Sequence, residues 1–423
     1  MDGGTKRKTL QDILTEEQIN CIISQNSKTE FKLLKHELRS ATEGMSGFVG
    51  DHIKLTLHIK EGDSVKKKKM HLFVKAMPSV NAAKARFIKD NNFFGIESST
   101  YEIFENFADE ECKYLLQFLD FRTVPKLQRA LIHNHNTLVL PDLSVEGYRT
   151  PTRHLDLDHV LVTLKSMARF HAAFAKHQTK VNANPELHEE YACFLRDPLF
   201  VDCGFLRAAI RTTTCVIKEF STNIKKYPVN LEESMTKWFL NACDSLRNYE
   251  DTLNVIIHKD LWKNNVMFNY SETEPVNAVL IDFQCARYAP PAIDVLVFLY
   301  FTTSREFRQK HERDVLDHYY SVFWASIDEL TRQRMVELNY NRQEFFKLCE
   351  KLRPAGIMVP LSFCPFNLMS TAAAQESFND PNTFYKHISE DRCDLVLEYA
   401  RKNEYYKIKV LEISEEFVER NLL

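Results

Sequence analysis

Apolar residues recur at helical spacing at the start of the chain. Leu10, Ile13 and Leu14 do so, and Ile19, Ile22 and Ile23 repeat the pattern, so the first forty residues read as helical. The period then changes. Ile53, Leu55, Leu57 and Ile59 alternate with polar residues through HIKLTLHIK (52–60), the mark of a half-buried strand. Glu61-Gly62-Asp63 is a turn signal, and HLFVKAMP (71–78) is a second strand stopped by Pro78. The two predict a hairpin whose solvated tip holds the run Lys66 to Lys69. A helical stretch follows to about residue 107 with Ile96, Glu97, Tyr101 and Phe104, and short apolar runs at 115–121 and 137–143 read as strands. From about residue 155 the spacing is helical again, in LDHVLVTLKSMARFHAAFA. A strand-like island returns at 253–283, and from about residue 291 the chain reads as helices. The layout is α+β: a small β-rich N-terminal part, then a larger helical part that encloses a β island.

Composition narrows the class. A chain of 423 residues with 44% hydrophobic and 27% charged positions buries an ordinary core, which excludes global disorder. The net charge of −3 leaves no basic footprint for nucleic acid. No apolar run reaches the ~18 residues of a membrane span, and the first residues lack the apolar stretch of a signal peptide. A cytoplasmic protein is the expectation. Ten cysteines without a C-x-x-C pair fit reduced, mostly buried thiols better than zinc or disulfide frameworks. His133-Asn134-His135 reads as a polar turn, not a metal pair. Glycine is scarce, yet Gly44, Gly47 and Gly50 fall close together, where the backbone must turn or approach a ligand.

The densest chemistry lies at 257–284. His258, Asp260 and Asn265 sit between short apolar strands, and Asp282 ends a third. Loops on a rigid frame suit catalysis. The order H-x-D-x-x-x-x-N followed by D-F after a strand is that of a phosphoryl-transfer site, in which an Asp takes the hydroxyl proton while an Asn and a second Asp hold Mg²⁺. One such fragment alone proves little. An upstream half completes it: the loop with Gly44, Ser46 and Gly47 for the phosphates of ATP, then Lys75 inside LFVKAMP, then a helix glutamate to pair with that lysine. Glu97 is one partner and Glu102 the other. The LVLPDL segment, with Asp142 and Leu143, is then a hinge whose backbone meets adenine.

Together LFVKAMP (72–78), FGIESSTYEIF (94–104), LVLPDLSVEGYR (138–149), LKSMARFHAAFA (164–175), HKDLWKNNVMFNY (258–270) and VLIDFQCARYAPPAIDVLVFLY (279–300) resemble the ecdysteroid-kinase-like (CHK-like) family of small-molecule kinases, relatives of choline kinases and aminoglycoside phosphotransferases. The resemblance implies a bilobal protein-kinase-like fold, with an N-lobe over 1–141, a C-lobe over 142–423 and ATP in the cleft. It implies Asp260 as catalytic base, His258 as a brace of its loop, Asn265 and Asp282 as Mg²⁺ ligands, Lys75 and Glu97 as the phosphate-holding pair, and Asp294 as a structural tie. It implies a small-molecule alcohol as acceptor, with a steroid alcohol such as an ecdysteroid as the lead class. The acceptor pocket is expected around 350–375, where Phe363, Phe366 and Met369 cluster. Three positions depart from the family pattern: Lys259 replaces a glycine, Pro141 replaces a hinge Glu, and the glycine loop differs. They motivate an alternative, a catalytically weak pseudokinase that binds nucleotide or a partner. A protein kinase is disfavoured, because Gln284 follows Asp282-Phe283 and no A-P-E appears downstream.

Overall fold

Strict alternation on 52–60 builds what it predicts. In the computed structural model, which describes residues 10, 13–26, 30–41, 50–62, 67–78, 81–105, 137–151, 155–181 and 189–422, this segment is strand β2. Helix α1 (Glu16–Asn26) precedes an antiparallel sheet of β1 (Phe31–Ser40), β2 (Asp51–Glu61), β3 (Lys67–Ala76) and β4 (Thr137–Pro141), hydrogen-bonded in that order. Between β3 and β4 lie α2 (Ala82–Asp90) and α3 (Phe93–Glu105). One sheet face carries Leu55, Leu57, Ile59, Leu72, Val74 and Val139, which α1 covers with Ile19, Ile22 and Ile23. Period two therefore turns His52, Lys54, Phe73, Lys75 and Leu140 to the opposite face, where they line a cavity.

Two readings of this lobe need correction. Residues 31–40 are a strand, not a continuation of the helical start. β1 is an edge strand whose Phe31, Leu33 and Leu38 pack half-buried on the core, and a register shift between Leu33 and Lys35 breaks their alternation. Lys67 to Lys69 are not a hairpin tip; they open β3, exposed, opposite Lys60, Ile59 and His58. Lys66, the 115–121 run, His133 to His135 and the glycine-loop residues Gly44, Ser46 and Gly47 lie outside the described residues.

The larger lobe is helical. In order it holds α4 (Leu157–Val181), α5 (Gly204–Phe220), α6 (Leu231–Asp244), strands β5 (Val255–Ile257), β6 (Val266–Ser271), β7 (Glu274–Leu280) and β8 (Arg287–Ala289), then α7 (Pro291–Thr302), α8 (Arg305–Ser326), α9 (Glu329–Glu337), α10 (Arg342–Asn367), α11 (Thr371–Asn379), α12 (Pro381–Ser389), α13 (Cys393–Lys402) and α14 (Glu404–Leu422). The β island is two ribbons, β5 with β8 and β6 with β7. β8 is three residues long, too short to show a period in the sequence. Helix α7 is apolar all round and almost wholly buried, the property of a central core helix. Helix α10 approaches it closely at Gly356, where a Cβ would meet Leu296 Cβ at 2.5 Å. The fold is bilobal and kinase-like. Among the described residues no single helix is long and apolar enough to cross a membrane.

Candidate active site

Lys75 stands on the cleft face of β3, opposite His52 on β2 and Leu138 on β4. A buried ammonium is costly unless paired. Here Nζ lies 2.6 Å from Glu97 Oε2, 2.6 Å from Asp282 Oδ1 and 3.1 Å from Gln284 Oε1. Glu97, not Glu102, is thus the helix partner, and it is brought in by α3, whose Phe93, Phe94, Ile96 and Phe104 anchor in the core. Burial alone would lower the Lys75 pKa, but the Asp282 and Glu97 carboxylates outweigh it and hold the ammonium charged. Burial pushes Glu97 up to about 7, with the nearby Asp282 charge adding to the effect against the pull of Lys75. Burial would likewise raise Asp282; Lys75 overrides it and holds that carboxyl low. Gly50 closes over this lysine, for a Cβ there would meet Lys75 Cγ at 3.2 Å.

The loop between β5 and β6 carries the second group. Asp294, in the first turn of α7, accepts the His258 N–H at 2.8 Å and the Lys259 N–H at 2.7 Å. His258 Nε2 donates to the Ile281 carbonyl at 2.8 Å, which leaves Nδ1 to accept the Asp260 N–H at 3.3 Å. Both contacts require the neutral ring, in line with a pKa lowered by burial. His258 is wholly buried, and its position is that of a brace. Asp260 is 7% exposed. Burial, then the Asp282 charge, raises its pKa well above the ordinary carboxylate value, while Lys259, Lys75 and Asn265 pull it down. Asn265 Nδ2 donates to the Asp260 carbonyl at 2.8 Å, so its Oδ1 is left to ligate. Asp282 follows β7 with φ +68°, a left-handed conformation that turns the carboxylate back to Lys75.

Not all of these groups reach the cavity of about 360 Å³ between the lobes: Asp260 and His258 stay behind its wall. Lys75, Glu97, Asn265, Asp282, Asp142 and Leu143 line it. The Asp142 carboxylate accepts from Ser144 N–H at 3.1 Å and from Lys54 at 3.1 Å, so it shapes the linker. The lining also includes His52, Lys54, Tyr148 and Arg149, which sequence reasoning did not single out. The period-two face of β2 was the available signal for the first two. Gln284, the residue that separates this D-F-Q from D-F-G, adds the third ligand of Lys75. Two oxygen donors, Asn265 Oδ1 and the free Asp282 Oδ2, suit Mg²⁺, which commonly takes one or two carboxylates and leaves its other positions to phosphates and water.

The region expected for the acceptor pocket is divided. Cys364, Asn367, Leu368 and Met369 line a cavity. Phe366 is buried against Phe378, and Phe363 packs on Phe200 and Phe205.

Sequence comparison then decides the family: the model of the ecdysteroid kinase-like family matches residues 45–332. The chain belongs to this family. No curated protein matches the sequence significantly. Among solved structures, an ethanolamine kinase of Plasmodium vivax aligns at 10% identity and TM-score 0.40 over 97% of this chain and 86% of its own. The choline kinase LicA of Streptococcus pneumoniae aligns at 13% identity and TM-score 0.30 over 90% of this chain and 94% of its own. A choline/ethanolamine kinase family protein of Mesorhizobium loti does so at 12% and 0.29, over 94% and 98%. Overlaps this loose carry no argument about chemistry.

Proposed function

We propose that this chain is an ATP- and Mg²⁺-dependent small-molecule kinase that moves the γ-phosphoryl group of ATP to an alcohol, with the lobe boundary between Pro141 and Asp142. The observation that carries the reading is the convergence of Lys75, Glu97, Asn265 and Asp282 on one cleft, beside a loop that holds Asp260. Adenine would lie against the linker after β4. Pro141 can offer only its carbonyl. The Leu143 N–H has no partner among the described residues and is free to donate to the base. Lys75, kept aimed by Glu97, would hold the α- and β-phosphates. Asn265 and Asp282 would ligate Mg²⁺, which supplies charge neutralisation on the phosphates. Asp260 would orient the acceptor hydroxyl and take its proton as the new O–P bond forms and the bond from Pγ to the bridging oxygen breaks. The rate then comes from positioning and charge complementarity. The acceptor class we favour is a steroid alcohol such as an ecdysteroid.

The test is transfer of labelled γ-phosphate from ATP·Mg²⁺ to a panel of steroid alcohols, choline and other small hydroxyl compounds, with Asp282→Ala as control. Labelled product from the wild type alone supports the reading. ATP·Mg²⁺ binding without any transfer would favour the pseudokinase, and loss of binding as well would reject the kinase reading.

A further inference from the structure

A second cavity, of about 390 Å³, lies on the other side of the loop that carries Asp260. The loop walls both spaces. Asn264 and Asn265 line the nucleotide cleft, while Trp262 and Lys263 line the second cavity. Asp260 precedes both pairs in the chain, and its carbonyl accepts the Trp262 N–H at 3.2 Å. Asp260 itself lines neither space, so the second cavity is separated from the nucleotide cleft by the loop. Much of the wall is aromatic and aliphatic, from Trp262, Phe301, Phe307, Met369 and Ile413.

The charges of this wall are unequal. It holds three cations, Lys263, Arg308 and Lys409, and one carboxylate, Glu412. Arg308 is committed to Glu416, Nη2 to Oε2 at 2.5 Å. Glu412 accepts the Arg305 N–H at 2.9 Å and has Arg308 and Lys409 each at 3.9 Å. Lys263 is half-buried and meets no carboxylate among the described residues. Asn367, the last residue of α10, also lines the cavity, and its Oδ1 is buried without a donor. A buried acceptor left so is costly, and a ligand N–H or O–H would relieve it. An ammonium alcohol would find aromatic faces here but no uncommitted carboxylate, and it would face a lone ammonium.

We propose that this cavity is a ligand site separate from the nucleotide cleft and that it selects an apolar hydroxy acid, against amino alcohols. Lys263 pairs with the acid, and Asn367 accepts from a ligand N–H or hydroxyl.

Three congeners separate charge from shape: ω-hydroxydodecanoate, its methyl ester and ω-aminododecanol. Their binding is measured by titration calorimetry in the presence of Mg²⁺ and a non-hydrolysable ATP analogue, whose own affinity is recorded alongside. The acid should bind about tenfold more tightly than the ester, the size of one charge-assisted hydrogen bond, with the amine weakest. Lys263→Met should abolish that advantage, and Asn367→Asp should move the preference toward the amine. An ester or amine that binds as tightly as the acid, a preference that survives Lys263→Met, a Lys263→Met variant that also loses the nucleotide, or no binding of any congener would overturn the proposal. Phosphoryl transfer is read separately. Acid-selective binding without transfer to any alcohol would uphold the selectivity and refuse the kinase reading, whereas transfer to amino alcohols without acid preference would do the reverse.

Discussion

The Lys259 ammonium lies 2.5 Å from the Asp197 carboxylate, with both side chains buried. Lys259 is also the residue of the loop with φ +64°, the left-handed region where glycine is at ease and a Cβ costs ~1 kcal/mol. The ion pair offsets that strain. Asp197 is fixed in turn by the N–H groups of Leu199 and Phe200, at 3.2 and 3.1 Å, with Arg287 at 3.3 Å. A lysine at a position the family pattern gives to glycine is therefore an anchored part of the loop, and its charge lowers the pKa of the adjacent Asp260.

Lys259→Met should then act twice. It leaves Asp197 buried with Arg287 alone, and we expect a loss of about 2–4 kcal/mol in denaturant unfolding. It also removes a charge that favours ionised Asp260, so the acid limb of the pH–rate profile should move to higher pH. Lys259→Gly should move the limb equally yet lose about 1 kcal/mol less stability, because glycine accepts the left-handed backbone. A limb unmoved in both variants would separate Lys259 from the titration of Asp260.

Asp260→Asn keeps the shape of the side chain and the carbonyl that Asn265 bonds, but removes the acceptor of the hydroxyl proton. Turnover should fall by about 10²–10⁴-fold in the labelled-phosphate assay while ATP·Mg²⁺ affinity stays near that of the wild type. Equal losses in both would mean that the carboxylate serves the nucleotide instead.

The site was legible where chemistry leaves a spacing in one short stretch. His258, Asp260 and Asn265 fall within eight residues, and Lys75 stands out as a charge among apolar neighbours in LFVKAMP. What the sequence could not carry were long-range partners. Asp197 lies in a segment with no distinctive spacing, and the helical spacing around His171 does not name its partner; only the fold brings them to Lys259 and Asp294. The choice between Glu97 and Glu102 was of the same kind, since each lies on α3 and the facing of that helix depends on its packing. β1 failed for another reason: a register shift between Leu33 and Lys35 breaks the period, so Phe31, Leu33 and Leu38, which share the face packed on the core, are not evenly spaced. Phe363 and Phe366 pack in the core while Met369 lines a cavity, because helical spacing alone does not tell a cavity wall from packed core.

Glu97 sets an opposition between stability and function in the nucleotide-free protein. Its pKa rises from 4.5 unfolded to about 7 folded. The folded state thus holds a proton that the unfolded chain has released, a contribution fully present below pH 4.5 and lost as pH rises through about 7. Relative to Glu97→Gln, the wild type should lose up to about 3 kcal/mol across that window. Ionised Glu97 grips Lys75 more strongly, so nucleotide affinity should rise over the same range in the wild type alone. Parallel stability curves for the two proteins would reject the assignment.

Asp294 makes the last case, because its carboxylate binds no ligand. Its Oδ2 accepts the His258 N–H at 2.8 Å and His171 Nε2 at 3.1 Å, and its Oδ1 accepts the Lys259 N–H at 2.7 Å. Tyr319 OH lies 2.7 Å from His171 Nδ1, so the ring is held from both sides. Burial would raise the Asp294 pKa, but the His171 hydrogen bond and the His258 N–H hold it low, so the group is an anion made for donors. Asn in its place offers one acceptor oxygen and an NH₂ that faces an N–H. At least one buried donor is stranded, at a cost of about 1–3 kcal/mol. The loop then shifts relative to the nucleotide, and a misplacement of the order of 1 Å lowers turnover by about a hundredfold. The linker and Lys75, which line the cleft, are untouched. Asp294→Asn should accordingly lower kcat far more than it raises the KM for ATP. A variant that lost nucleotide affinity and turnover in equal measure would show that Asp294 supports the cleft as a whole and not the placement of Asp260.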